Sequence, residues 1–266
     1  MRIAISLLAG WSLVASCNDP GNGGGNTPDP QKPDITRPMS YSIIKEYPHD
    51  TAFFTQGLVF HKGDFYEGTG ERGHSRLMKV ELETGKVLKR IDLEPEYFGE
   101  GIATWGDSLF QLTWEEHKVF VYDINTFKKI AEFPINTEGW GITTDGKEMI
   151  VSDGSSNLYF YDPKTFRLLR TQGVYQNGEL AYNLNELEFI NGYVYANQWT
   201  MPYILRIDPS NGQVMGKADV SDIWQRVKQI DPQVDVPNGI AYDTVTKKIF
   251  ITGKRWPKLF EVQFGN

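Results

Sequence analysis

Cysteine, histidine and clustered basic residues are all scarce in this sequence. The 266 residues include a single cysteine, Cys17, which excludes a disulfide framework. The formal net charge is −7 and no stripe of lysine or arginine occurs, which argues against nucleic acid as a ligand, because phosphate backbones need a concentrated basic surface. The four histidines form no pair at metal-ligand spacing: His49, His61, His74 and His117. We therefore expect no catalytic metal and no cofactor, with room left only for a structural Ca²⁺.

The single cysteine lies at the end of a segment that has the features of a secretion signal. Met1-Arg2 supplies positive charge, and residues 3–14 are a mostly apolar run that is too short for a comfortable membrane span. The stretch Leu13-Val14-Ala15-Ser16-Cys17 resembles a bacterial lipobox, in which the cysteine is acylated and becomes the new N-terminus. The alternative is an ordinary signal peptide whose cleavage site happens to adjoin a cysteine. We expect residues 1–17 to be a lipoprotein signal peptide, and the protein to be exported and lipid-anchored to a bacterial membrane, at the periplasmic face or the cell surface.

The composition changes after the predicted anchor. Residues 18–38 consist largely of Gly, Pro, Asn and Asp and contain almost no apolar side chains. Such a stretch cannot offset its ordering entropy by burial, so we expect a flexible linker. Residues 39–266 are then predicted to form one catalytic domain.

Within that domain a short turn, with glycine in four of the five copies, recurs five times and is followed by an apolar strand. The five copies are Gln56-Gly57-Leu58-Val59-Phe60, Glu100-Gly101-Ile102-Ala103-Thr104, Trp140-Gly141-Ile142-Thr143-Thr144, Glu186-Leu187-Glu188-Phe189-Ile190 and Asn238-Gly239-Ile240-Ala241-Tyr242. Counted from their second residues, they lie 44, 40, 46 and 52 residues apart. Each copy continues into two or three further short strands, and this period is typical of a propeller blade.

The repeat predicts an all-β fold, a five-bladed β-propeller closed by an N-terminal strand. The last unit lacks a fourth strand, and the apolar segment Tyr41–Ile44 is available to complete it, which would remove two exposed sheet edges. The alternative is a β-sandwich, but sandwiches do not repeat one signature five times. We expect one helical interruption around residues 220–228, in the insertion that makes the last step the longest.

Propeller geometry places two sets of side chains around one pocket. The start of each inner strand and the end of each second strand meet on the same face of the ring, where a concave site is the default hypothesis for ligand binding. The inner-strand starts supply Gln56, Glu100, Trp140, Asn185, Glu186 and Asn238, and the second-strand ends supply Glu67, Trp114, Asp153, Trp199 and Lys254.

Glu100 is the candidate general acid and base of this pocket. Five aromatic side chains would desolvate its carboxyl group and raise its pKa: Phe54, Phe98, Trp114, Trp140 and Trp199. Lys254 and Gln56 are donors that could stabilise an oxyanion. Each residue also has an ordinary structural interpretation, since a glycine-flanked glutamate is often a turn residue and a tryptophan at a strand end usually packs in the core. Neither a Gly-x-Ser-x-Gly elbow nor a phosphate-binding loop is present.

The same positions resemble the glutamine cyclotransferase family, the plant and bacterial type of glutaminyl-peptide cyclase. The matching motifs span every predicted blade and include Phe54-Thr55-Gln56-Gly57-Leu58, Tyr97-Phe98-Gly99-Glu100-Gly101, Gly139-Trp140-Gly141, Leu184-Asn185-Glu186-Leu187-Glu188, Ala196-Asn197-Gln198-Trp199 and Thr252-Gly253-Lys254-Arg255-Trp256-Pro257. One neighbouring departure is Gly68, in Tyr66-Glu67-Gly68-Thr69-Gly70, where the family has serine.

The resemblance implies conversion of N-terminal glutamine of peptides and proteins to pyroglutamate, with release of ammonia and without a metal. It places the acid/base on Glu100, with Gln56, Asn185 and Lys254 as polar partners and the five aromatic residues as substrate-binding walls. We expect a monomer that touches the membrane only through its lipid anchor. Two alternatives stay open: a non-catalytic peptide- or glycan-binding propeller lipoprotein, and a propeller lactonase, which would need a coordinated metal ion.

Overall fold

A computed structural model describes residues 36–265. The predicted signal peptide, Cys17 and the linker up to residue 35 lie outside the described residues.

The prediction of five blades is confirmed, because five sheets of at least four strands follow one another along the chain. Blade 1 contains Thr55–His61, Asp64–Thr69, Arg76–Val80 and Val87–Asp92, and blade 2 contains Gly99–Trp105, Ser108–Thr113, Lys118–Asp123 and Lys129–Pro134. Blade 3 contains Ile142–Thr144, Met149–Val151, Asn157–Tyr161 and Leu168–Gly173, and blade 4 contains Leu184–Ile190, Tyr193–Gln198, Tyr203–Ile207 and Val214–Asp219. Blade 5 contains Pro237–Tyr242, Ile249–Gly253, Lys258–Phe264 and Tyr41–Pro48. A small hairpin, Tyr175–Gln176 with Glu179–Leu180, follows blade 3.

The N-terminal segment completes the last blade, as predicted. Tyr41–Pro48 pairs antiparallel with Lys258–Phe264 and extends four residues beyond the predicted Tyr41–Ile44. Just before it, Arg37–Pro38 pairs parallel with the outer strand of blade 4. The first described residues therefore connect blades 4 and 5, and the last two residues of the predicted linker are part of a sheet.

Apolar side chains fill the spaces between the blades. Five buried clusters are present, and each lies between two neighbouring blades, including the pair that closes the ring. The helix predicted around residues 220–228 spans Ser221–Ile230 and contributes Ile223 and Val227 to the cluster between blades 4 and 5. The spacing of these two residues, one helical turn apart, explains why this short segment buries one face.

The recurring glycine of the repeat allows the inner strands to approach one another closely. A Cβ atom on Gly57 would lie 2.3 Å from the backbone nitrogen of Ile102 in the next blade, and one on Gly141 would lie 2.1 Å from the carbonyl oxygen of Asn185. Real Cβ contacts are never this short, so any side chain here would push two blades apart. At these junctions only glycine allows the neighbouring inner strands to come so close.

Two glutamates on the inner strand of blade 4 bind backbone groups on the inner strands of blades 5 and 1. The Glu186 carboxylate accepts hydrogen bonds from the backbone N–H of Leu58 (3.3 Å) and of Ile240 (2.8 Å). Glu188 accepts one from the backbone N–H of Tyr242 at 2.9 Å. Inner strands have no sheet neighbour on the channel side, so these carboxylates satisfy donors that would otherwise be buried without a partner.

Within residues 36–265, no helix has the length and apolar content needed to cross a bilayer. The same residues contain no group of three or more His, Cys, Asp or Glu side chains arranged to hold a metal ion.

Candidate active site

All nine site residues predicted from the sequence line one cavity of about 350 Å³. Its lining consists of Phe54, Gln56, Phe98, Glu100, Trp114, Trp140, Asn185, Trp199, Thr200, Asp235, Val236 and Lys254. The residues come from all five blades and from the segment that precedes blade 5, and they meet because every inner strand starts at the same end of the ring. The volume is in the range of pockets that bind small ligands.

The carboxyl group of Glu100 lies buried in this cavity, with 4% of the residue exposed. Its Oε1 accepts a hydrogen bond from Nε2 of Gln56 at 3.1 Å. Burial raises the pKa of Glu100 well above its ordinary value of 4.5; Lys254 acts in the opposite direction, and nearby carboxylates raise the pKa further. A carboxylate whose pKa is raised in this way is a stronger base than an ordinary glutamate, and it can accept a proton and then return it.

The orientation of Gln56 is determined by a residue on blade 5. Nδ2 of Asn238 donates to the backbone carbonyl of Thr55 at 3.0 Å and to Oε1 of Gln56 at 3.2 Å. The backbone carbonyl oxygen of Thr55 can only accept a hydrogen bond, so the end of the Asn238 amide that faces Thr55 and Gln56 is its NH₂ group. The Gln56 oxygen is thereby held toward Asn238 and its NH₂ group toward Glu100. One of the two NH₂ hydrogens binds Glu100, and the second is left for a ligand.

Lys254 supplies the cation of the cavity and is also 4% exposed. Its Nζ lies 4.5 Å from the centre of the Phe54 ring, within the range of a cation–π contact. Burial lowers the pKa of Lys254, while Glu100, Asp235 and Glu71 act to raise it. The ammonium group is thus poorly hydrated, which strengthens its interaction with any negative charge that develops nearby.

Asn185 presents a free acceptor to the cavity. The residue is 2% exposed, and its side-chain oxygen Oδ1 has no hydrogen-bond partner. Its backbone is fixed, because the carbonyl accepts a hydrogen bond from Oγ of Ser152 at 2.6 Å. A buried acceptor without a partner is costly, so Oδ1 is suited to receive a donor from a bound ligand.

The aromatic walls are connected to one another by edge-to-face contacts. Phe98 contacts Phe54 on one side, with ring centres 6.3 Å apart, and Trp114 on the other, at 5.6 Å. Trp140 and Trp199 meet at 5.4 Å and nearly at right angles. Trp199 is 40% exposed and therefore forms the mouth of the cavity rather than its dry interior.

The family model for glutamine cyclotransferase matches residues 22–264. The chain belongs to the glutamine cyclotransferase family.

Two relatives illustrate this membership. A glutaminyl-peptide cyclotransferase of Arabidopsis thaliana is 37% identical over 268 residues, covering 99% of this chain and 82% of the relative. A crystal structure of Myxococcus xanthus glutaminyl cyclase is 38% identical with a TM-score of 0.81, covering 86% of this chain and 98% of that chain. The resemblance seen in the sequence motifs is therefore confirmed.

Four of the ring positions expected to surround the pocket of this family member do not line it. Glu67 binds Nε2 of His49 at 3.1 Å and accepts a hydrogen bond from Thr55 at 2.7 Å. Asp153 caps its own turn through Ser155. The Glu186 carboxylate accepts hydrogen bonds from backbone N–H groups, as described above, and Asn238 lies behind Gln56. The repeat predicts which strand end a residue occupies, but strand twist and neighbouring blades decide which way its side chain points.

Conversely, the prediction from sequence missed Thr200, Asp235, Val236 and Glu138. The first three line the cavity. Glu138 lies behind it, and its Oε2 accepts hydrogen bonds from the indole nitrogens of Trp114 and Trp140. The motif Glu138-Gly139-Trp140 was a possible signal, because a carboxylate two residues before a predicted pocket tryptophan can reach its ring.

A second cavity of about 250 Å³ lies at the other end of the inner strands and includes Glu188. Burial raises the pKa of Glu188 to about 8, against hydrogen bonds from Tyr242 and Thr143 that lower it. No tryptophan lines this cavity. The family motifs instead cluster at the first cavity, which combines a buried carboxyl group, a lysine, an unpartnered acceptor and aromatic walls.

Proposed function

We propose that this protein is a glutaminyl-peptide cyclotransferase, which converts the N-terminal glutamine of peptides and proteins to pyroglutamate and releases ammonia. Family membership supports the reaction class. The observation that carries the proposal is the Glu100 carboxyl group, buried with a raised pKa at the centre of an aromatic pocket and oriented by Gln56.

In the proposed reaction the substrate's neutral α-amine attacks the carboxamide carbon of its own side chain. A C–N bond forms and the carbonyl π electrons move to oxygen, giving a tetrahedral intermediate. The Glu100 carboxylate takes a proton from the attacking nitrogen and returns it to the amide nitrogen, which leaves as ammonia while the carbonyl re-forms. Such proton transfer typically contributes about 10²–10⁴-fold to the rate.

Three polar side chains are assigned supporting roles. The second NH₂ hydrogen of Gln56 and the ammonium group of Lys254 stabilise the oxygen of the tetrahedral intermediate, a contribution that grows in a water-poor site. Oδ1 of Asn185 accepts a hydrogen bond from the substrate amine, which satisfies its own missing partner and orients the nitrogen lone pair toward the carbon.

The aromatic walls act on the shape of the substrate. A glutamine side chain in water samples many rotamers, few of which bring its amide carbon near its own amine. Confinement between Phe54, Phe98 and the tryptophans favours the folded rotamer, and this raises the effective molarity of the amine. No step of this mechanism requires a metal or another cofactor.

The test is incubation of the purified protein with a Gln-initiated peptide in the presence of a chelator. We expect release of ammonia and loss of the mass of one ammonia from the peptide. The matched control is the same peptide with an acetylated α-amine, which has no nucleophile and should be inert. No reaction with the free peptide would favour a non-catalytic peptide- or glycan-binding protein, and activity only after metal addition would rule out the metal-free mechanism.

The N-terminal sequence supports a further proposal about location. Residues 1–17 act as a lipoprotein signal peptide, and acylated Cys17 anchors a monomeric domain to a bacterial membrane through the 18–38 linker, at the periplasmic face or the cell surface. Multiple acyl chains give stable attachment. Metabolic labelling with a fatty-acid analogue should mark the wild type but not Cys17→Ala, and size-exclusion chromatography in detergent should give one domain per particle. Labelling of Cys17→Ala would contradict the anchor.

A further inference from the structure

One carboxylate oxygen holds two of the pocket's tryptophans. Oε2 of Glu138 accepts a hydrogen bond from Nε1 of Trp114 at 2.8 Å and from Nε1 of Trp140 at 2.9 Å. Both distances are those of a charge-assisted hydrogen bond, which is about twice as strong as a neutral one.

The two tryptophans belong to different blades, so this oxygen couples two walls of the pocket. Trp114 directly follows the second strand of blade 2, and Trp140 lies just before the inner strand of blade 3. Each ring then contacts one more aromatic wall, Phe98 for Trp114 and Trp199 for Trp140. Four of the five aromatic walls are therefore connected, directly or through one contact, to Glu138.

These side-chain bonds orient the rings but are not needed to hold the two chain segments together. The backbone N–H of Trp140 donates to Ser152 at 3.0 Å, and its carbonyl accepts from Gly101 at 2.8 Å. The backbone carbonyl of Trp114 already accepts a bond from Gly139 at 3.3 Å. The two indole hydrogen bonds to Glu138 add a fixed rotamer for each ring, because a buried N–H group that loses its acceptor is costly.

The charge of Glu138 is not used in any ion pair within the described part of the chain, unlike that of Glu116, which pairs with Arg72 at 2.6 Å. The carboxylate is half-buried and is engaged by the two indoles instead. A surface glutamate without such contacts would instead point freely into water.

We propose that Glu138 is a positioning residue for cyclisation: by holding both indole rings through one oxygen, it sets the walls against which the substrate glutamine folds onto its own amine. This inference rests on the proposed function. Glu138 does not line the cavity, so it acts through Trp114 and Trp140 and not by touching the substrate. Its charge also helps to raise the pKa of Glu100, an effect that persists without the two indoles and that the double-mutant cycle separates from ring positioning.

The first measurement is independent of activity. In ¹H–¹⁵N NMR spectra, Trp114→Phe and Trp140→Phe assign the two indole N–H signals of the purified protein. We expect both signals to move upfield in Glu138→Leu, which has no acceptor, and to move less in Glu138→Gln, which keeps a neutral one. Glu179→Gln, at an exposed position in the small hairpin, is the charge-matched control and should leave both signals in place.

The second measurement is a double-mutant cycle on kcat/KM with a Gln-initiated peptide. Loss of the charged acceptor should lower kcat/KM about tenfold or more in Glu138→Leu, with a smaller loss in Glu138→Gln. In a Trp114→Phe/Trp140→Phe background the rings no longer donate, so the same Glu138→Leu change should alter kcat/KM less than about twofold.

An equal loss in both backgrounds, or indole signals that stay in place in Glu138→Leu, would overturn the positioning role. If Glu138→Leu does not fold, the Glu138→Gln variant decides. The positioning role then requires that both indole signals move upfield and that kcat/KM falls in this variant. If the wild type cyclises nothing, the proposed function fails by itself, and the indole signals alone decide whether Glu138 holds the rings.

Discussion

Replacing Glu100 by glutamine should abolish catalysis while making the fold more stable at alkaline pH. Glutamine has the shape of glutamate and can still accept the hydrogen bond from Gln56, but it cannot exchange a proton. We therefore expect turnover to fall by about 10²–10⁴-fold with the structure intact.

The effect on stability follows from the burial of Glu100. Because burial raises the pKa of this carboxyl above its ordinary value of 4.5, the folded state holds the proton more tightly than the unfolded state. The wild type then loses stability as the pH rises from about 4.5 to the raised pKa, by at most about 1.4 kcal/mol per pH unit. The amide that replaces the carboxyl group in Glu100→Gln does not titrate in this pH range. The free energy of unfolding of the variant therefore rises relative to that of the wild type between about pH 4.5 and the raised pKa, and not at lower pH.

Urea unfolding followed by tryptophan fluorescence, at about pH 4 and about pH 8, measures this difference, and ammonia release measures turnover. Glu96→Gln removes a charge at an exposed position and should show neither effect. Near wild-type turnover in a folded Glu100→Gln protein would refute the acid/base assignment. A stability difference that does not grow with pH would refute the raised pKa.

Two further predictions concern the scaffold of the pocket. His49→Gln leaves the buried Glu67 carboxylate without its ion-pair partner, so the free energy of unfolding near pH 6 should fall by about 3–5 kcal/mol in urea titrations. Burial lowers the pKa of His49, but the Glu67 carboxylate and hydrogen bonds raise it overall. The difference in the free energy of unfolding between wild type and variant should therefore be largest below pH 6.5 and shrink as the pH rises through the raised pKa. A difference that does not depend on pH would argue against the ion pair. Gly141→Ala places a Cβ 2.1 Å from the Asn185 carbonyl oxygen and should destabilise the fold by about 1–3 kcal/mol; an unchanged Tm would show that the two strands can separate freely.

The blade count was predictable because each blade uses the same local chemistry. Gly57, Gly101 and Gly141 recur because the inner strands of blades 1 to 4 almost touch where each meets the next, so that a Cβ at any of these positions would lie within 3 Å of backbone atoms. The closing strand was predictable from a different signal, an apolar segment that no other unit could pair. Its exact length was not, because strand ends depend on which partner residues on Lys258–Phe264 remain available for pairing.

The pocket residues were predictable in position but only partly in arrangement. Glu67 and Glu100 occupy comparable ends of neighbouring strands, yet one forms a buried pair with His49 and the other faces the cavity. The difference comes from His49, which the closing strand brings next to blade 1. No local pattern around Glu67 records that contact.

Residue types at regular spacings were sufficient to predict the all-β repeat, the ring closure and the family motifs that mark the pocket. The folded structure was needed to show that Asn238, 182 residues from Gln56, orients the amide that binds Glu100, and that Glu138 joins two tryptophans. Such hydrogen bonds depend on side-chain directions across blades. Those directions are set by strand twist and by the close approach of the inner strands, and neither is encoded in the spacing of residues along one blade.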